Sequence, residues 1–290
     1  MNNTNFAFVQ YRKLKYPDGI EVKLKEVAGH LDKEEIIEED DYSLHTEYSF
    51  MSRKLDSETL LKYPELKNAN KRGVPQLWYS IDWAREFALF VIDITQYSKP
   101  PKVIEIHPPY NDYCSMDEFI ERYNCFEKIV HDKYPNTKIV IENRSGTRYS
   151  GGKFLISTTE DIVELCCIIQ DKSLNLRLVL DYPQLLTAEH IETVRFDELK
   201  YKLIIEMIKP YKDLIDGIHL WGKKRNARGW TSHVGTLDTY FDDNKENKKI
   251  FLDGIMEVCN DYKERYFVPE VNSGQEDMNA IVKDVLDYQK

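Results

Sequence analysis

Several things are scarce in this 290-residue chain, and each scarcity excludes a class of protein. No apolar run approaches the ~20 residues of a membrane span, which argues against a membrane protein. The N-terminus, MNNTNFAFVQYRK, has no basic segment followed by an apolar one, so no signal for export is expected. The five cysteines (Cys114, Cys125, Cys166, Cys167, Cys259) are odd in number and form no C-x-x-C pair, so a disulfide framework is not indicated and a reduced cytoplasmic setting is the simpler expectation. Cys166 and Cys167 fall in an apolar helical run and are expected to be packed inside. Glycine is sparse, and its only cluster, Gly146–Gly152, lies mid-chain and matches neither nucleotide-binding loop. Positive charge is in the minority, with 40 Lys+Arg against 50 Asp+Glu and a net charge of -10. That excludes a surface built wholly as a nucleic-acid footprint, although a local basic groove remains compatible with it. There is no Ser/Gly linker and no internal break in composition.

What the chain does have is a repeated construction: a short apolar run, then one His, Asp or Glu, then a polar turn. KIVIENRSG at Lys138–Gly146 shows it most clearly, with β-branched Ile139, Val140 and Ile141 delivering Glu142. Buried parallel strands read as such runs. Strands are expected at Phe6–Gln10, Gly19–Leu24, Tyr42–Phe50, Val103–Ile106, Lys138–Ile141, Leu176–Leu180, Gly217–Leu220 and Arg265–Val268. Helical spacing marks Ser80–Gln96, with Ile81, Trp83, Ala84, Phe87, Ala88, Phe90 and Val91 on one face. Ser115 with Glu118, and Ser157 with Glu160, have capping-box spacing and open further helices. Phe196–Ile208, Ile250–Tyr262 and Asp277–Tyr288 are also helical in pattern. Lys33–Asp41 reads as a solvated acidic segment, and Lys54–Gln76 as a long insertion of the kind that often carries function. Strand and helix alternate at βα spacing, and about eight strands favour a closed (β/α)8 barrel, one α/β domain over 1–290, rather than an open doubly wound sheet.

In such a barrel the strand C-termini converge on one mouth. Six residues stand there: His45, His107, Glu142, Asp181, His219 and Glu270. Imidazole and carboxylate together suit zinc, with manganese as the other candidate. His233 lies in the loop after His219. His30, His131 and His190 fall in polar or helical surroundings and are expected at the surface, and Glu105 and Glu47 are expected to be structural or exposed. The segment KKRNARGW adds Lys223, Lys224, Arg225 and Arg228, flanked by Trp221 and Trp230, beside the same mouth. Arg144, Arg148 and Lys153 follow Glu142. Both groups read as a local phosphate-binding patch, with a solvated loop as the competing reading.

In this order the motifs resemble those of the xylose isomerase-like TIM barrels, the superfamily that holds endonuclease IV (family 2 AP endonucleases) and many sugar phosphate isomerases and epimerases. The likeness runs through SLHTEY, IHPPY, IENRSG, LDYPQ, IHLWG, TSHVG and PEVNSG, and so over nearly the whole chain. It implies that His45, His107 and Glu142 hold one metal ion, and that Glu142, Asp181, His219 and Glu270 hold a second, with Glu142 bridging. A third ion is not implied, because Gln184 and Thr231 stand where the pattern has histidine and aspartate and only His233 remains. Two functions follow from the resemblance. One is metal-assisted phosphoester hydrolysis of nucleic acid or a related substrate, with Glu142 and Glu270 in the site and His233 orienting the phosphate. The alternative is a metal-dependent sugar phosphate isomerase or epimerase in which Glu142 and Glu270 move the proton. A barrel that keeps its metal only for stability or binding is a third reading. The phosphorylated substrate is the expected partner, and no membrane partner is expected.

Overall fold

A computed structural model describes residues 3–29, 37–46, 61–68, 73, 75–148, 152–227 and 229–289. Arg228, His30, Glu47, the last four residues of the expected third strand and much of the Lys54–Gln76 insertion lie outside the described residues.

The apolar runs form strands β1 (Asn5–Gln10), β2 (Val22–Gly29), β3 (Tyr42–Thr46), β4 (Val103–Ile106), β5 (Lys138–Glu142), β6 (Arg177–Asp181) and β7 (Ile215–Leu220), with β8 (Lys223–Asn226), β9 (Gly229–Ser232) and β10 (Glu264–Pro269) after them. Strands β1 to β7 and β10 pair in parallel and close in chain order, β10 returning to β1. The result is a (β/α)8 barrel, the fold that the sequence pattern and the resemblance both imply. Two boundaries differ from expectation. The second strand lies several residues later than Gly19–Leu24, since pairing with β3 begins only at Lys25. The KKRNARGW segment is not a loop but the antiparallel hairpin β8–β9, joining Lys223 to Ser232 and Arg225 to Trp230. At its root Gly222 lies so close to Gly235 that an added Cβ would meet the Gly235 backbone at 2.5 Å, so only glycine fits there.

The helices α1 (Ile81–Thr95), α2 (Met116–Lys133), α3 (Thr159–Lys172), α4 (Tyr182–Ala188), α5 (Glu198–Ile208), α6 (Leu237–Tyr240), α7 (Lys245–Cys259) and α8 (Gln275–Gln289) wrap the barrel. Ser115 and Glu118 cap α2 reciprocally, as their spacing predicts. The cap of α3 is Thr158 with Asp161, one residue on from the expected Ser157 and Glu160. The Ser157 hydroxyl instead donates to the Phe154 carbonyl inside the protein. Of the cysteine pair, Cys166 is packed inside α3 but Cys167 is exposed, because adjacent helical positions lie about 100° apart around the axis. Among the described residues no helix is long and apolar enough to cross a membrane.

Side chains alternate across each strand with period two. Outward positions such as Leu44, Ile104, Ile139, Leu178, Ile218 and Phe267 pack under the helices. Inward positions Val9, Leu24, Val103, Val140, Val179 and Val268 meet in a separate apolar layer across the bore. Gly217 completes that layer, where a Cβ would press on Val179 at 2.9 Å. The next inward position along the strands, two residues on, is where the chemistry begins.

Candidate metal centre

Two residues on from the valine layer stand Tyr11, Glu26, Glu105, Glu142, Asp181, His219 and Glu270; His45 lies beside Glu105 in register, and His107 follows Glu105 by two residues, just past the end of β4. The six residues expected at the strand ends are thus brought together at the mouth, and all six are buried. Glu142 is central. Its Oε2 lies 2.7 Å from His107 Nε2 and 2.6 Å from Arg144 Nη1, and its Oε1 accepts from the Gln184 amide at 2.8 Å. Asp181 serves as N-cap of α4 through its Oδ1, while its Oδ2 accepts from Gln184 Nε2 at 2.8 Å and Trp221 Nε1 at 2.7 Å. His219 Nδ1 faces Glu270 at 3.3 Å and Glu142 at 3.8 Å. His45 Nε2 is 3.2 Å from His107 Nε2, and its Nδ1 is 3.2 Å from Glu26.

Four buried carboxylates (Glu105, Glu142, Asp181, Glu270) and the partly buried Glu26 thus share the bore with one guanidinium. With the imidazoles neutral, as ligation of a metal requires, four negative charges would remain in the bore, and burying unpaired charge is strongly unfavourable. Two divalent cations would balance them. The donors are arranged for that. One ligand atom from each of His45, Glu105, His107 and Glu142 lies within 4.8 Å of the others, and so does one from each of Glu142, Asp181, His219 and Glu270; the two sets share Glu142. Among the described residues neither ring nitrogen of buried His219 has a hydrogen-bond partner, as expected of an imidazole shaped for another ligand. The residues therefore fit a pair of N/O-ligated divalent ions.

Proton affinities follow the same crowding. Burial would lower His45, but Glu105 and Glu26 outweigh it and raise its pKa to about 10. His219 is likewise lifted well above an ordinary imidazole by Glu105 and Glu270, against burial. Burial pushes Glu270 up, yet His219 brings it down to about 2. Glu142 is held well below the usual carboxylate range, because Arg144 and the His107 hydrogen bond exceed the effect of burial. Asp181 is driven well above its usual value by burial and then by the like charges of Glu142 and Glu270. His107 is lowered by burial and by Arg144.

The remaining expected residues divide. His233 sits at the rim in the left-handed region (φ 59°), its ring 4.3 Å from Trp221 and its Nδ1 3.5 Å from Glu270. Arg144 enters the centre itself. Trp221 is buried and holds Asp181 rather than lining the opening. Lys223 stands one shell away, its amine 4.7 Å from the Tyr240 ring centre and 5.0 Å from that of Trp230. Lys224 and Arg225 are exposed on the hairpin. Thr231 is also exposed on the hairpin, accepting from Asn226.

No family model matches the chain, and no curated protein matches it. Solved structures do. "The crystal structure of AsfvAP:AG" is similar at 12% identity with a TM-score of 0.53, covering 86% of this chain and 74% of that one. That likeness is one of fold. A sugar phosphate isomerase/epimerase from Parabacteroides distasonis matches at 12% identity, TM-score 0.39, over 86% of each chain. A psychrophilic glycoside hydrolase family 10 endo-beta-1,4-xylanase matches at 10% identity, TM-score 0.39, over 79% of this chain and 66% of that one.

Sequence reasoning passed over several residues at this centre. Glu105, expected to be structural or exposed, is buried in the bore; it lies two positions before His107, so the same face was legible from the strand period. Glu26 was hidden because Lys23 and Lys25 place charges on the other face of the same strand. Asn143 fixes β5 to β6: its amide donates to the Asp181 carbonyl at 3.1 Å, and its oxygen accepts from the Asp181 amide at 2.9 Å.

Proposed function

We propose that the protein is a divalent-metal-dependent phosphoester hydrolase acting on nucleic acid or a related phosphorylated substrate. The observation that carries this reading is the pair of donor sets joined through Glu142, beside a guanidinium and on the same end of the barrel as a basic hairpin. His45, His107 and Glu142 would hold one ion and Glu142, Asp181, His219 and Glu270 the other, zinc suiting the donors best and manganese next. When bound, paired ions supply an activated water and stabilise the leaving oxygen. The chain's own residues do the rest. Arg144 and, from the rim, His233 are placed to receive phosphate oxygens. Gln184 and Trp221 hold Glu142 and Asp181 in their rotamers. Glu270, kept ionised beside His219, accepts a proton at its carboxylate. Lys223, Lys224 and Arg225, together with Arg228, bring positive field to an otherwise acidic surface. The setting we propose is the cytoplasm.

One observation favours a second reading, a metal-dependent sugar phosphate isomerase or epimerase. The amide nitrogen of Gln184 donates to both Glu142 and Asp181, so the position where the family pattern has a third-ion histidine serves here to hold carboxylates. In that reading Glu142 and Glu270 would pass a proton between neighbouring carbons.

Metal content per chain on protein purified without chelator tests both. About two equivalents, with His45→Ala losing one, is the expected result for paired ions, and cleavage of phosphodiester substrates would be assayed next. One equivalent, unaffected by His45→Ala and lost with Glu142→Ala, transfers the assignment to the isomerase. No metal after soaking rejects both.

A further inference from the structure

The resemblance supplies three protein ligands for the first ion. The bore contains a fourth candidate that it does not supply. Glu105 precedes His107 by two positions on β4, so both side chains point inward. Glu105 is 3% exposed, and among the described residues its Oε1 has no hydrogen-bond partner. That oxygen lies 3.4 Å from His45 Nε2, which is itself 3.2 Å from His107 Nε2. A carboxylate oxygen sealed from water, with an imidazole nitrogen at 3.4 Å and no hydrogen bond, is strongly disfavoured unless a cation meets it. The spacing has a direct chemical meaning. Two ligands at the usual zinc–nitrogen distance and tetrahedral angle are separated by ~3.3 Å, close to both values. The other oxygen, Oε2, lies 3.4 Å from His219 Nε2, on the far side of that ring from Glu142 and Glu270. Glu26 stands in the same relation to His45 Nδ1. A carboxylate behind a metal-binding imidazole fixes its orientation.

We propose that Glu105 is a metal ligand: with His45, His107 and Glu142 it completes a two-imidazole, two-carboxylate set for a divalent ion of the zinc class, while its second oxygen orients His219. This rests on reading the mouth as a metal centre, but not on which reaction occurs there. It also bears on metal choice. A compact set of two nitrogens and two oxygens suits a four-coordinate ion and disfavours magnesium, which keeps octahedral geometry and most of its water.

The test uses the full chain, stripped with chelator and titrated with zinc against a chromophoric competitor. A parallel titration with cobalt(II) is read by its visible absorption, which is intense for tetrahedral and weak for octahedral sites. Glu105→Gln, Glu105→Asp, His45→Ala and Glu270→Gln are compared with the wild type. Glu105→Gln should lose the same ion that His45→Ala loses, its affinity falling by more than the roughly 10- to 100-fold that follows loss of an orienting partner. The tetrahedral cobalt band of that ion should weaken with it, and Glu105→Asp should weaken the same ion. Combining Glu105→Gln with His45→Ala should cost no further ion. In chelator, Glu105→Gln should still unfold in a single cooperative transition; that result shows the variant is folded. Retention of both ions at wild-type affinity in both Glu105 variants overturns the proposal. So does a loss confined to the ion that Glu270→Gln removes, which would leave Glu105 only an orienting partner of His219. A wild type that binds one ion regardless of His45 overturns it as well. If two ions bind and Glu105→Gln loses one while no phosphoester is cleaved, the hydrolase reading fails and this inference stands.

Discussion

The Arg144–Glu142 pair should matter most when metal is absent. Glu142 is 1% exposed at its side chain and Arg144 12%, and they meet at 2.6 Å. Removing one partner of a buried ion pair typically destabilises by about 3–5 kcal/mol, since the other charge is left uncompensated. Glu142 keeps two other partners, His107 at 2.7 Å and Gln184 at 2.8 Å, so the lower end applies. In a chain of this size each kcal/mol moves the melting midpoint by about 2 °C, so Arg144→Gln should melt about 6 °C below wild type in chelator. With zinc or manganese bound, the ions neutralise Glu142 and the difference should shrink to less than half. Paired thermal melts, with chelator and with excess metal, measure both. Equal losses in the two conditions, or no loss in chelator, would refute the charge accounting for the bore.

Three other predictions concern single contacts. Gln184→Met leaves Glu142 and Asp181 each one donor short and should destabilise the chelated protein by about 1–3 kcal/mol in urea unfolding. Thr158→Ala removes the α3 cap and should cost about 1 kcal/mol, whereas Glu160→Ala should be nearly silent. Arg265 is fully buried and held by Asp261 at 2.6 and 2.8 Å, so Asp261→Asn should cost about 3 kcal/mol at neutral pH. Burial raises the Asp261 carboxyl, but Arg265 outweighs it and holds the folded value below the ordinary one. The stabilisation is therefore complete above an unfolded pKa of about 4 and is lost as pH falls through the lower folded value. Urea midpoints measured across pH should show the wild type and Asp261→Asn converging in acid.

Most of the barrel was legible because β-branched runs and helical spacing are local signals. Val103–Ile106 was read at its true bounds, and Lys138–Ile141 to within one residue. The shift of β2 has a physical reason: GIEVKL alternates as well as VKLKEVAG does, and only pairing with β3 chooses between them. The hairpin was missed because Lys223–Asn226 and Gly229–Ser232 are polar on both faces and leave no apolar period to count. The capping box of α3 was misplaced by one because SerThrThrGluAsp offers two equally spaced pairs. At the mouth, the strand-end acids and histidines were visible as interruptions of apolar runs. Glu26 and Glu105 sit inside strands, where a charge on one face reads like any solvated residue until the direction of that face is known.

The valine layer has a consequence for traffic. Val9, Leu24, Val103, Val140, Val179 and Val268 form an apolar layer across the bore beneath the charged tier, an unfavourable path for anything polar coming from the opposite end of the barrel. The mouth, where the loop after β5 and the β8–β9 hairpin lie, is then the favoured way in and out for any ion or polar ligand that the centre takes. Arrival and departure would then take place by turns at that end, and the residues of the mouth would govern how long each occupant stays.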